Sequence, residues 1–180
     1  MTRGAYVLDL GLVPYREAWD LQRSLAGAVS QGAIPETVIF LEHPPVVTLG
    51  RRTDDGELHV PEGAEVDVVE TDRGGKSTFH GPGQLVCYPI LDLRLHGKDV
   101  KKFVRNLEEA LIRTLAPFGL EDAAFTTIAR ELARPVAVEE VRPHARDAIA
   151  EVFELELEPL PAESDHGLWR QPIHASLART

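Results

Sequence analysis

The chain of 180 residues has one cysteine and one methionine, and aromatic residues make up only 6% of it. A single cysteine excludes an internal disulfide, so packing alone must hold the fold, and a reducing compartment is the expected setting. No apolar run approaches the roughly 20 residues that a spanning helix needs. The opening residues, Met1-Thr2-Arg3-Gly4-Ala5, lack the charged-then-apolar pattern of a signal peptide. The expectation is therefore a cytoplasmic protein with no membrane contact. Basic residues are scarce, 19 against 29 acidic ones, for a formal net charge of −10. That balance argues against a nucleic-acid partner, whose binding rests on neutralising phosphates. Metal motifs are missing as well. There is no HExxH, no CxxC and no carboxylate-rich calcium loop, and the seven histidines are scattered without ligand spacing. Neither a metal nor a cofactor is expected.

What is present suffices for one packed domain. The chain is 43% hydrophobic and 27% charged, ordinary globular values, and long enough to bury a core without staples. Residues 5–10 alternate as a first strand. Pro14 opens a helix with Leu21, Leu25 and Ala28 on one face, and Gly32 and Pro35 close it. Residues 37–41 read as a buried strand. Residues 46–49 form the next one, after the stiff His43-Pro44-Pro45 turn, and Val66, Val68 and Val69 mark another. The strand over 85–91 contains Pro89, which points to a sheet edge or a bulge. Val100, Phe103, Val104, Leu107, Leu111, Leu115 and Phe118 predict an amphipathic helix ended by Pro117 and Gly119. Val138, Val141, Ala145, Ile149 and Val152 predict a further helix. Residues 159–180, with Leu168 and Trp169 as lone apolar anchors, read as a strap or tail. Strands and helices intermix, so the class is α/β or α+β.

The densest chemistry lies at 73–84, Arg73-Gly74-Gly75-Lys76-Ser77-Thr78-Phe79-His80-Gly81-Pro82-Gly83-Gln84. Glycines at this density let backbone N–H groups come close to a ligand, and Arg73, Thr78, His80 and Gln84 add side-chain donors. Gly75-Lys76-Ser77 resembles the end of a phosphate-binding loop. The position that must be glycine there is Glu70, whose charge would repel a phosphate. Two local basic clusters, Arg51-Arg52 and Lys98, Lys101, Lys102 and Arg105, read either as solvated surface or as docking patches for an acidic partner.

Residues 73–85 resemble the signature of the lipoyl(octanoyl) transferases. Residues 15–22 are similar to that family's first helix, and Leu41-Glu42-His43-Pro44 with Thr48-Leu49-Gly50-Arg51-Arg52 to its second strand and loop. Tyr88-Pro89-Ile90, Leu107-Glu108-Glu109, Leu132-Ala133-Arg134-Pro135-Val136 and Val138-Glu139-Glu140-Val141 also fit. The similarity covers most of residues 5–158, taken as one transferase-like domain. It implies the fold of the biotin and lipoate protein ligases, a mixed sheet with packed helices. It also implies octanoyl transfer from acyl carrier protein to a lysine of lipoyl domains in oxidative multienzyme complexes. The acyl group would be held on the way as a cysteine thioester, with a neighbouring lysine lowering the thiol pKa. Arg73, Gly74, Gly75, Lys76, Ser77, Thr78, Phe79 and His80 would then line the acyl site. The basic clusters would suit the acidic carrier.

The similarity breaks after Gly119-Leu120. There the resemblance calls for a Lys-x-x-x-x-Gly segment, a His-Gly-x-x-x-Asn segment and a Pro-Cys-Gly turn, and none of them follows Leu120 in this sequence. Glu121 to Ile128 resemble the stretch that follows the turn, so one contiguous block with several central strands and both members of the catalytic dyad is absent. Cys87, the only thiol, is then the one candidate nucleophile, although a thiol inside a strand is more often structural. His80 reads either as a general base for water or as a pocket wall. Loss of the block predicts an uncovered strand edge and an uncovered stripe on helix 100–118, with reduced stability or self-association. Alternatively, the strap at 159–180 covers that face, or the gene sequence is in error at this junction. Three functions remain: an octanoyltransferase, a dyad-less relative that binds octanoyl or lipoyl groups or their carriers, and an inert deletion product.

Overall fold

The computed structural model describes residues 2–54, 63–120 and 126–161. In chain order its elements are β1 (Arg3–Leu12), α1 (Tyr15–Ser30), β2 (Glu36–Glu42), β3 (Val46–Leu49), β4 (Asp67–Glu70), β5 (Thr78–His80), β6 (Val86–Ile90), α2 (Val100–Leu115), a 3-10 turn (Ala116–Phe118), α3 (Ile128–Glu131), α4 (Val138–Phe153) and β7 (Leu155–Pro159). The main sheet has the order β6-β2-β1-β7. β1 runs parallel to both β2 and β7, and β6 runs antiparallel to β2.

Strand parity assigns each apolar residue to a face. Tyr6, Leu8, Leu10, Ile39, Leu41, Val86 and Tyr88 meet α1, whose Ala18, Leu21, Leu25 and Val29 fall on one side of the helix. Ala5, Val7, Val38, Phe40, Cys87 and Leu155 point the other way, onto α2 and α4. The sheet is thus covered on both faces, which explains the almost unbroken apolar run of β2. Full burial of one such side chain, Leu25 for example, contributes about 2 kcal/mol. Pro89 sits in β6 at the end of the sheet, as its missing N–H requires.

α2 departs from the expected stripe. Asp99 caps it, its carboxylate accepting from the Lys102 N–H at 3.0 Å. Phe103, Leu107 and Ala110 face the core, with Thr114 buried beside them. Val100, Val104 and Leu111 are 60%, 47% and 64% exposed. Three further elements were not legible in the sequence. β5 lies within the glycine-rich stretch, α3 is a single turn capped by Thr127, and β7 extends one residue past the expected domain end at 158. The junction residues 121–125 and residues 162–180, including Leu168 and Trp169, lie outside the described residues.

Candidate functional site

A second, smaller sheet, β4-β3-β5, carries the glycine-rich stretch. β3 pairs parallel with β4 and antiparallel with β5. Thr48 is fully buried at its centre. Arg73 reaches back over β3, its guanidinium donating to the Thr48 carbonyl at 2.8 Å and the Thr48 hydroxyl at 2.7 Å, and to the Gly74 carbonyl at 3.0 Å. The loop after β3 is stitched to the same stretch. The Arg51 N–H donates to the Arg73 carbonyl and the Arg52 N–H to the Gly75 carbonyl, both at 3.0 Å. Gly50 makes this approach possible, since a Cβ there would lie 2.4 Å from the Gly75 carbonyl oxygen. Gly75 adopts a φ of +83°, a conformation that favours glycine. A cleft of about 340 Å³ adjoins the strip, with Leu49, Gly50, Arg51 and Thr71 in its wall.

Where the two sheets meet, four rings from four elements converge. His43, at the end of β2, is fully buried. Its Nδ1 lies 2.7 Å from the Val13 carbonyl, which can only accept, so Nδ1 carries the proton. Its Nε2 then accepts from the Tyr88 hydroxyl at 2.9 Å. Burial, more than any neighbour, pulls the His43 pKa below its usual value and keeps the ring neutral. Burial likewise raises Tyr88 and Tyr15, so both hydroxyls stay protonated. His80 stacks on Tyr15 with centroids 6.2 Å apart and meets His43 edge-on at 5.8 Å. Its Nδ1 donates to Gln84 Oε1 at 2.6 Å, which leaves Nε2 of the neutral ring as an acceptor. The turn after it is held by Glu42, which accepts from the Gly83 N–H at 2.6 Å. Phe79, next to His80 in β5, points to the other face of that strand, where it is 56% exposed and offers an apolar surface.

Residues 14–135 match the family model described as the lipoyl protein ligase A/B catalytic domain. The chain belongs to that family. Its relatives include an octanoyltransferase of Mycobacterium leprae, 55% identical over 115 residues that cover 64% of this chain and 48% of the relative. An octanoyltransferase of Roseiflexus is 49% identical over 118 residues, covering 63% and 49%. The chain thus spans about half the length of the curated relatives it matches. Among solved structures, protein Ta0514 of T. acidophilum, described as a lipoate protein ligase with bound lipoic acid, aligns with a TM-score of 0.64 at 15% identity. The match covers 95% of this chain and 94% of that one. A structure from an archaeal lipoylation system, described as a bipartite lipoate protein ligase and its E2 lipoyl domain from Thermoplasma acidophilum, gives 0.64 at 13% identity, covering 97% and 93%. The fold is therefore that of the lipoate protein ligases, as the sequence implied.

Within this family fold, the residues expected to line the acyl site divide into three groups. Arg73, Gly74 and Gly75 build the strip, and all the Arg73 partners named above belong to the protein itself. Lys76 pairs with Asp54 at 3.7 Å. Ser77, Thr78, Phe79 and His80 carry the strip to the ring cluster. Sequence reasoning missed Tyr15, His43 and Tyr88 as site residues. His43 and Tyr88 are 45 positions apart and no spacing rule joins them. Of the basic clusters, Arg51-Arg52 lies at the strip. Lys98 to Arg105 lies at the opposite end of the main sheet, where β6 has run down from the site to Ile90 and α2 begins.

Cys87 is on the wrong side of the sheet for this cluster. It pairs with Phe40 and shares the face covered by α2 and α4, whereas Tyr88 points toward His43. Burial pushes the thiol up from its usual 9.0 to about 12. At pH 8 that leaves about a thousandfold less thiolate than an unperturbed cysteine. Iodoacetamide is therefore expected to label Cys87 rapidly in urea and negligibly in the native protein. Equal rates in the two states would refute the burial argument. Among the described residues, no group of three His, Cys, Asp or Glu could hold a metal, and no helix is long and apolar enough to cross a membrane.

Proposed function

We propose that this chain acts at the octanoyl-transfer step of lipoate assembly and binds the octanoyl group of acyl carrier protein without taking it up as a thioester. The observation that carries this reading is the pairing of a closely stitched glycine-rich strip with a misplaced thiol. The strip is clamped by Arg73 and Gly50 and ends in an oriented His80, while Cys87 is partly buried on the opposite face of the main sheet. Octanoyl transfer is the activity of the named relatives. In the full reaction the acyl group passes to a lysine of a lipoyl domain in an oxidative multienzyme complex. That step needs a nucleophile and an activating lysine, which the family resemblance places in the block absent at Leu120–Glu121. The chemistry left to these residues is recognition. Phe79 supplies apolar contact to the acyl chain, His80 Nε2 accepts a hydrogen bond from the carrier's amide-bearing arm, and Arg51 and Arg52 face the acidic carrier.

The test mixes the protein with octanoyl-loaded acyl carrier protein. Saturable binding is expected, weakened about tenfold by His80→Ala, the equivalent of about 1.4 kcal/mol. Cys87→Ser should bind as the parent does, and intact-mass analysis should show no acyl adduct. An adduct that disappears in Cys87→Ser would replace this reading with a transferase using a new nucleophile. Absence of binding would leave the chain without an acyl function.

A further inference from the structure

The uncovered side of α2 has a pattern of its own. Val100, Val104, Leu107 and Leu111 are spaced four, three and four residues apart, the interval that aligns a seam along one side of a helix. Three of these, Val100, Val104 and Leu111, are among the most exposed large apolar side chains of the described residues. Leu107, between them, is only partly buried. Lys101 and Glu108 each follow a seam residue by one position, so they share one flank of the seam, seven residues apart. Their neighbours Glu109 and Arg113 are paired with each other, and Arg113 also with Glu151. Lys101 and Glu108 form no ion pair among the described residues.

We propose that this seam joins two copies of the chain through an antiparallel α2–α2 contact. The charge order selects both the partner and the direction. In an antiparallel pair, Lys101 of one copy lies beside Glu108 of the other, and the two-fold axis makes the same contact twice. Val104 then packs near Leu107 of the second copy, and Leu111 near Val100. A parallel pair would instead set Lys101 and Glu108 against Phe103 and Ala110, which are turned into their own core. Among the described residues the main sheet ends at two outer strands, β6 and β7; Pro89 interrupts the donor row of the first, and the second is a short strand that ends in Pro159. The helix is therefore the better surface for pairing. Sixteen residues of helix extend about 24 Å. Such a contact falls below the roughly 800 Å² per partner of a standard interface, so the dimer dissociates on dilution.

Sedimentation of the 180-residue chain from about 1 to about 100 µM reads this directly. The expected result is a rise from the monomer mass of 19.9 kDa toward twice that value. Leu111→Lys should raise the dissociation constant at least tenfold, about 1.4 kcal/mol. Lys101→Glu alone and Glu108→Lys alone should each weaken the dimer about tenfold by setting like charges opposite, and the double exchange should restore it. These two positions are exposed, so the exchanges leave the fold intact even if Leu111→Lys does not. A monomer at every concentration would overturn the proposal, as would a double exchange that fails to recover. If residues of the same chain cover the stripe, the protein stays monomeric and Leu111→Lys lowers its urea midpoint instead. If a different protein covers it, the chain is monomeric alone. Either outcome rejects the self-pairing.

Discussion

Replacing His43 with alanine is expected to lower the unfolding free energy by about 3–5 kcal/mol. The ring is fully buried, and both nitrogens are bonded. Its removal leaves the Val13 carbonyl and the Tyr88 hydroxyl without partners in a place water does not reach. Each orphaned group costs about 1–3 kcal/mol, and the cavity adds to that. Against a typical total of about 5–15 kcal/mol this is a large fraction. In urea the midpoint should fall by about 2 M. The same side chain makes the fold sensitive to acid. Because the folded-state pKa of His43 lies below the usual 6.5, the neutral ring is favoured by folding. Its contribution is complete above pH 6.5 and is lost as the pH falls through the folded-state value. Stability measured between pH 8 and pH 5 should therefore decline on the acid side in the parent and decline less in His43→Ala. An unchanged urea midpoint in the variant would remove His43 from the core of this argument.

The second large effect is expected at Gly50. A methyl group there would stand 2.4 Å from the Gly75 carbonyl oxygen and 2.9 Å from both the Gly75 carbonyl carbon and the Arg73 guanidinium. Two of those three contacts are with backbone, which cannot swing aside. Gly50→Ala must push the 73–75 segment away from the loop after β3 and break the bond from the Arg52 N–H to Gly75. The cost is about 3 kcal/mol, typical of overpacking against rigid neighbours. Amide exchange at Arg51 and Arg52 should accelerate, and octanoyl binding should fail even where the domain remains folded. Gly74→Ala is the control, because nothing lies within 4 Å of its Cβ position. Its stability should change by no more than about 0.5 kcal/mol. If the two substitutions behaved alike, the close approach at Gly50 would not be what shapes the strip.

Much of the fold was legible where neighbours in sequence are neighbours in space. β2, β3 and α1 follow from an apolar run, a stiff turn and a helical period, and they stand where the periodicity predicted. Pro89 pointed to an edge or a bulge because a missing donor has few places in a sheet, and β6 lies at the edge. β7 was not legible. Leu155–Pro159 is short and rich in glutamate, and it becomes a strand only because β1 offers a parallel partner about 150 residues earlier. The orientation of α2 was misread for a related reason. Its apolar residues spread over more than one face, and only the position of α4 determined that Phe103 and Ala110 would be covered while Val104 and Leu111 would not.

The scarcity of cysteine can be followed through the same contrast. The sequence by itself determined that there is one thiol, that the glycine-rich strip resembles the signature of the lipoyl(octanoyl) transferases, and that no Pro-Cys-Gly turn follows Leu120. These are properties of consecutive residues, and no folding is needed to read them. Only the tertiary structure decided which histidine is buried and neutral, that Arg73 is engaged in holding β3, and that Cys87 faces away from the ring cluster. Each of those depends on residues far apart in the chain meeting across a sheet. Strand parity and burial then set the chemistry, because the side chain's surroundings, not its identity, determine whether a thiol can ionise or a ring can take a proton.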